Sequence, residues 1–185
     1  RKALMASLNR SLQTMGVDYV DIFYSHRFDP ETSPEETAVA LDDIVRQGKA
    51  LYVGISNYTA PQAEAMIKIF KDLRTPFVID QVSYNMLNQT ANDDGLFDLL
   101  KQNNAGAIAY GPLSEGLLTD KYLNGIPADV DIHWSNQFVL DNGRDKMLQK
   151  LQALNKIAQS RGQKLSHMAL AWLLHNPVIT SVITG

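Results

Sequence analysis

Apolar positions along the chain alternate between a helical period and short unbroken runs. Leu4, Leu8 and Leu12 stand one turn apart and predict a helix that Gly16 ends. Tyr19-Val20-Asp21-Ile22-Phe23-Tyr24 then predicts a buried strand. Ser33-Pro34-Glu35-Glu36 joins an N-cap, a first-turn Pro and a Glu three residues on, so a helix begins there. Its apolar stripe is Ala38, Leu41, Ile44 and Val45, and Gly48 closes it. Leu51 to Ile55 predicts a second strand. A helix follows from Thr59, with Gln62 at the capping-box position and Met66, Ile67 and Phe70 facing inward. Phe77 to Val82 predicts a third strand, Asp93 to Asn103 a short helix, and Ala105 to Tyr110 a fourth strand. From Gly111 to about Gly143 no period holds, and loops of that length are uncommon unless functional or disordered. A helix resumes near Asp145 and stops at Gly162, Ser166 caps another through Leu174, and Val178 to Thr184 predicts the last strand.

Strands alternating with helices mean βαβ units and a parallel sheet. The strands read as continuous apolar runs, as expected of strands covered on both faces. Two architectures compete, an open doubly wound sheet and part of an eight-stranded barrel. The first favours a glycine-rich phosphate turn between strand and helix, and none is present. The second takes roughly 250 residues, of which this chain would supply about five of the eight units.

Composition narrows the function. Across 185 residues the net charge is -3, with no clustered basic stripe, which argues against nucleic acid as a partner. No apolar run approaches the roughly 18 residues of a membrane helix. The absence of Cys removes disulfides, zinc–thiolate sites and thiol nucleophiles, and fits a reducing, cytoplasmic setting. The chain opens on Arg1 with no initiator Met, as a piece of something longer would.

In parallel α/β folds the active site gathers at the C-terminal ends of the strands. The residues there are Ser25-His26-Arg27, Ser56-Asn57, Gln81 with Tyr84-Asn85, Tyr110-Gly111-Pro112 and Thr184-Gly185. A metal hydrolase would want several His and Asp ligands at such ends, and only His26 qualifies. No Ser stands in a nucleophile elbow. Amide and hydroxyl side chains beside an aromatic plane suit a flat heterocycle that bears an amide, such as nicotinamide, among other ligands. Each residue also has a plainer reading. His26 could be a histidine satisfied by neighbouring backbone, Ser56-Asn57 a turn or cap, and Tyr110 a core aromatic. Gln81 resists one, because a buried amide needs partners. Arg27 and Asp29 read as ordering their loop, and Glu115 as solvated. His133, His167 and His175 read as surface or capping residues, and Met66, Met86, Met147 and Met168 as core fillers.

Gly16 to Arg27 followed by Glu35-Glu36-Thr37 resembles the aldo-keto reductase segment around the catalytic histidine. Gly48 to Tyr58, Gln81-Val82-Ser83-Tyr84-Asn85, Tyr110 to Tyr122 and Ser181 to Gly185 resemble that family's later motifs, in order and over nearly the whole chain. The flavour is that of the branch holding bacterial L-glyceraldehyde 3-phosphate reductase and the potassium-channel beta subunits. The resemblance implies a (β/α)8 TIM barrel, here incomplete, with residues 1–185 as a single domain from the central and C-terminal part. It implies NADPH-dependent reduction of a small aldehyde or ketone by hydride transfer. His26 would orient and polarise the carbonyl. Ser56, Asn57 and Gln81 would hold the nicotinamide amide, and Tyr110 would stack on its ring. Gly111, Pro112, Leu113, Ser114 and Lys121 would meet the pyrophosphate or ribose region, and Gly185 would begin the adenosine side.

The family's proton-donating Tyr, with its Lys and Asp, is matched by no residue of this chain. The Asp-Ser-Arg often found in the family is replaced at Ala128-Asp129-Val130-Asp131, which reads as two segments joined across a missing loop. The expectation is a reductase of which this 185-residue chain alone does not catalyse. The alternatives are a non-catalytic NADPH-binding subunit like the channel beta subunits, or an inactive fragment. In the beta subunits the position of His26 is often Asn, so His26 favours an enzyme. A small carbonyl substrate is the expected partner, with no nucleic acid, no membrane and a homo-oligomer left open.

Overall fold

Each predicted strand forms in the computed structural model, which describes residues 2–130 and 137–184. The strands are β1 (Val20–Ser25), β2 (Ala50–Ser56), β3 (Phe77–Ser83), β4 (Gly106–Tyr110) and β5 (Ile179–Ile183), and they lie in the sheet in sequence order. The pairs β1–β2 and β2–β3 are parallel. The helices are α1 (Lys2–Met15), α2 (Pro34–Arg46), α3 (Ala60–Leu73), α4 (Thr90–Asp93), α5 (Leu96–Gln102), α6 (Gln137–Asn142), α7 (Arg144–Ser160) and α8 (Leu165–Leu174). The chain divides into two compact units, one of Arg1–Val82 with Ala91–Ala107 and the other of Ser83–Thr90 with Ile108–Gly185.

In the first unit, local sequence sets the elements. Ser33 caps α2 by accepting a 3.2 Å bond from the Glu36 N–H, and Pro34 starts the helix at its fixed φ. The Gln62 side chain accepts the Thr59 N–H at 3.0 Å, the expected half of a capping box. Leu8, Leu41, Ile44, Ile55, Met66 and Phe70 are fully or almost fully buried, each contributing roughly 1.5–3 kcal/mol over exposure. Gly54 sits in register with Tyr24 on β1 and Ile79 on β3. A Cβ at Gly54 would lie 2.6 Å from the Tyr24 ring and 3.0 Å from Ile79 Cγ2, so only glycine lets that ring cross β2. Asp42, nearly buried, holds α2 to the end of α3. It accepts from Arg46 Nε at 2.5 Å and from Thr75 Oγ1 at 2.8 Å, while the Arg46 guanidinium donates to the Leu73 carbonyl.

In the second unit Leu117, Leu118, Tyr122, Met147, Leu151 and Ala169 form the core. Ala158, Leu165 and Met168 make a smaller cluster beside it.

Four expectations are corrected. The helix expected over 93–103 is two pieces, α4 and α5, because Gly95 takes a left-handed conformation (φ 84°) between them. The stretch expected to be irregular from Gly111 to Gly143 holds short 3₁₀ turns at Ser114–Gly116 and Asp120–Tyr122 and the helix α6. Ser166 does not cap α8. The helix starts at Leu165, whose buried side chain packs with Ala158 and Met168, and Lys164 takes the cap position. Finally, the strands are not covered alike on both faces. On β4, Ala107 and Ala109 are buried while Gly106, Ile108 and Tyr110 are only half-buried.

Candidate active site

Three strand ends of the first unit are tied together through two backbone carbonyls, those of Gln81 and His26. The Gln81 carbonyl accepts the Asn57 N–H at 3.1 Å and the Ser56 hydroxyl at 2.8 Å. Ser56 is buried, and its hydroxyl also accepts from Asn57 Nδ2 at 3.0 Å. The same Nδ2 reaches the His26 carbonyl at 3.1 Å, which ties the end of β1 to the end of β2. Asn57 makes these contacts from a left-handed backbone (φ 60°), a conformation Asn accepts more readily than most residues. The Gln81 side-chain amide, half-buried, makes no hydrogen bond among the described residues, so its donor and acceptor are both available. The His26 imidazole is exposed and likewise uncommitted among the described residues, although its main chain is held. His26, Ser56, Asn57 and Gln81 are therefore brought together as the strand-end rule expects.

The second unit gathers the other set only in part. Tyr110, Gly111, Pro112 and Leu113 line a cavity of about 450 Å³, together with Glu115, Gly116, Ile183 and Thr184. Gly111 turns the chain at φ 63°, with no atom within 4 Å of where a Cβ would stand. The carbonyl of Gly111 accepts from Asn85 Nδ2 at 2.8 Å, and Asn85 Oδ1 accepts the Leu87 and Asn88 N–H groups. Asn85 is thus a buried clamp for the loop after β4. Ser114 is buried and does not line the cavity. Lys121 also stands off it, exposed, with its ammonium 5.0 Å from the centre of the Tyr122 ring. Gly185, His133 and Asp131 lie outside the described residues.

The sequence placed Ser25 at a strand end without a role and assigned none to Tyr58 or Asp80; each is next in sequence to a residue of the first set, and each is buried. Ser25 Oγ and Tyr58 Oη share a 2.8 Å hydrogen bond. Among the described residues, neither carboxylate oxygen of Asp80 has a hydrogen-bond partner. Burial, with the charge of Asp94 added, pushes that carboxyl well above the usual aspartate range. Burial also raises the Tyr58 phenol, against the opposing bond from Ser25 and with smaller contributions from Asp80 and Asp29. Burial and then Asp80 raise Tyr24. The available signal was a carboxylate inside the apolar run Phe77 to Val82. Among the described residues no group of three or more His, Cys, Asp or Glu could hold a metal ion, and no helix is long and apolar enough to cross a membrane.

The model of the aldo/keto reductase family matches residues 1–185, and the chain belongs to that family. It is 48% identical over 189 aligned positions to the L-glyceraldehyde 3-phosphate reductase of Escherichia coli (strain K12), covering all of this chain and 55% of that protein. It is 35% identical to a protein of Oryza sativa subsp. japonica named as a probable voltage-gated potassium channel subunit beta, covering all of this chain and 58% of that one. The chain thus spans little more than half the length of these relatives. The glycerol dehydrogenase of Gluconobacter oxydans superposes on 98% of the chain with a TM-score of 0.81 at 24% identity, over 54% of its own length, which shows the fold alone. A thermostable aldo-keto reductase crystallised with the inhibitor epalrestat is 27% identical, with a TM-score of 0.75 over 100% of this chain and 56% of its own. The fold is that of the aldo-keto reductase barrels, of which this chain is a part.

Proposed function

We propose that this chain belongs to an NADPH-dependent reductase of small aldehydes or ketones, acting in the cytoplasm. The observation that carries the reading is the cluster at the ends of β1, β2 and β3, where Asn57 pins the main chain of His26 and the Gln81 amide is uncommitted among the described residues. The bound cofactor supplies the hydride. His26 donates a hydrogen bond to the substrate carbonyl oxygen and stabilises the negative charge that grows there. Gln81 and Asn57 fit the carboxamide of a nicotinamide, which needs one donor and one acceptor, and Ser56 fixes Asn57. Tyr110 offers a ring face, and Gly111 to Leu113 a wall without charge, on their own cavity. The proton for the product alcohol comes, in this reading, from a Tyr that no residue of this chain matches.

The test follows NADPH absorbance with methylglyoxal, on the protein at its natural length. H26A is expected to lower kcat/KM by about 100-fold or more, as loss of one oxyanion donor does. NADPH affinity, read by fluorescence quenching, is expected to hold within about threefold, since His26 serves the substrate and not the cofactor. Unchanged turnover by H26A overturns the assignment. The 35% identity to a channel beta subunit favours a second reading, a cofactor-binding regulatory subunit. Tight NADPH binding without turnover of any small carbonyl would select it.

A further inference from the structure

His26 has no side-chain anchor of its own among the described residues, yet catalysis requires its ring to stand in one place. What holds it is the main chain on either side. The buried Ser25 side chain, one residue before it, shares the 2.8 Å hydrogen bond with Tyr58. The His26 carbonyl is bound by Asn57, the residue before Tyr58. On the far side, Phe28 meets the Tyr58 ring edge to face, with centroids 5.5 Å apart and planes at 88°. Three contacts thus converge on residues 25–28 from the two-residue segment Asn57-Tyr58, and two of them belong to Tyr58. Tyr58 is 4% exposed, so water does not readily replace its bond when the hydroxyl is removed.

We propose that Tyr58 is a positioning residue for His26, acting through the Ser25 hydroxyl and the Phe28 ring to fix the end of β1. The proposal rests on the reading of His26 as the group that polarises the carbonyl. Tyr58 touches neither substrate nor cofactor in this account. Its removal should therefore reach the chemistry and leave cofactor binding alone.

Y58F, S25A, S25T and the double variant Y58F/S25A test this on the protein at its natural length. Y58F and S25A are each expected to lower kcat about tenfold, with KM and NADPH affinity within about twofold, as a small displacement of a catalytic group does. S25T keeps the hydroxyl and is expected to retain the parent rate. The double variant is expected to be no slower than either single one, because both remove the same bond. The ring signals of His26 in nuclear magnetic resonance should move in Y58F and S25A and stay in S25T. Where Y58F does not fold, the pair S25A and S25T decides alone. Ring signals unmoved in Y58F and S25A, or rate losses that multiply in the double variant, overturn the proposal. A parent whose turnover is indifferent to H26A sinks the catalytic reading instead, and the ring signals still judge whether Tyr58 holds His26.

Discussion

Asp80 poses the sharpest problem at the scale of single residues. It is a carboxylic acid with no exposed surface and, among the described residues, no partner on either oxygen, one position before Gln81. Its folded pKa is raised, so the folded state keeps a proton that the unfolded chain releases above about pH 3.9. Stability contributed by that retained proton is whole below pH 3.9 and is lost as pH rises toward the folded pKa. D80N, which cannot ionise, is expected to match the parent in urea unfolding at pH 3.5–4 and to exceed it increasingly toward pH 7. A gap that is constant with pH would refute this account. The strand-end rule picked out His26, Ser56, Asn57 and Gln81, and the structure ties them together, because parallel strands bring their C-terminal ends to one edge. The rule placed Ser25 at a strand end but gave no sign of its bond to Tyr58, because spacing does not report a contact between residues 33 apart. Asp29 was read correctly as a loop residue. Its carboxylate accepts from Thr32 Oγ1 and the Glu31 N–H, bonds that lower its pKa, and it orders the turn after β1.

Among the elements, caps were the legible part. Ser33 and Thr59 begin their helices where the sequence places them, because capping depends on residues within one turn of each other. S33A is expected to cost about 1 kcal/mol, seen as a lower urea midpoint at unchanged slope. G54A is expected to cost about 1–3 kcal/mol, since the new Cβ collides with the Tyr24 ring and has only the Ile79 side chain on its other flank. Replacing Tyr24 by a smaller side chain in the same molecule should return part of that loss. Where tertiary packing decides, the sequence was mute. The start of α8 follows the burial of Leu165 and not the capping power of Ser166. The link from Asp42 to Thr75 joins residues 33 apart, and no periodicity reports it.

For the whole molecule, βα alternation left a doubly wound sheet and a barrel segment both open, and the sequential strand order, with β1 and β5 at the two ends of the sheet, is that of a barrel segment. β2 is hydrogen-bonded on both sides. In hydrogen exchange on the 185-residue chain, β2 amides are therefore expected to be the slowest of the first unit, and alternate β1 amides to exchange early. Equal protection of β1 would mean that another strand, from a second copy or a longer chain, pairs with it. Less legible was the burial of the sheet faces. An apolar run such as Ala105 to Tyr110 looks alike whether one face is covered or two, and the half-buried residues of β4 show which it is.

The approach of Tyr24 to Gly54 also has a meaning for the family's history. Two positions on neighbouring strands share one volume, so the glycine does not change while the ring stands. Among relatives, a side chain at the second position should appear only in lineages that had already shortened the first. The order of those replacements should be readable in a reconstructed ancestry.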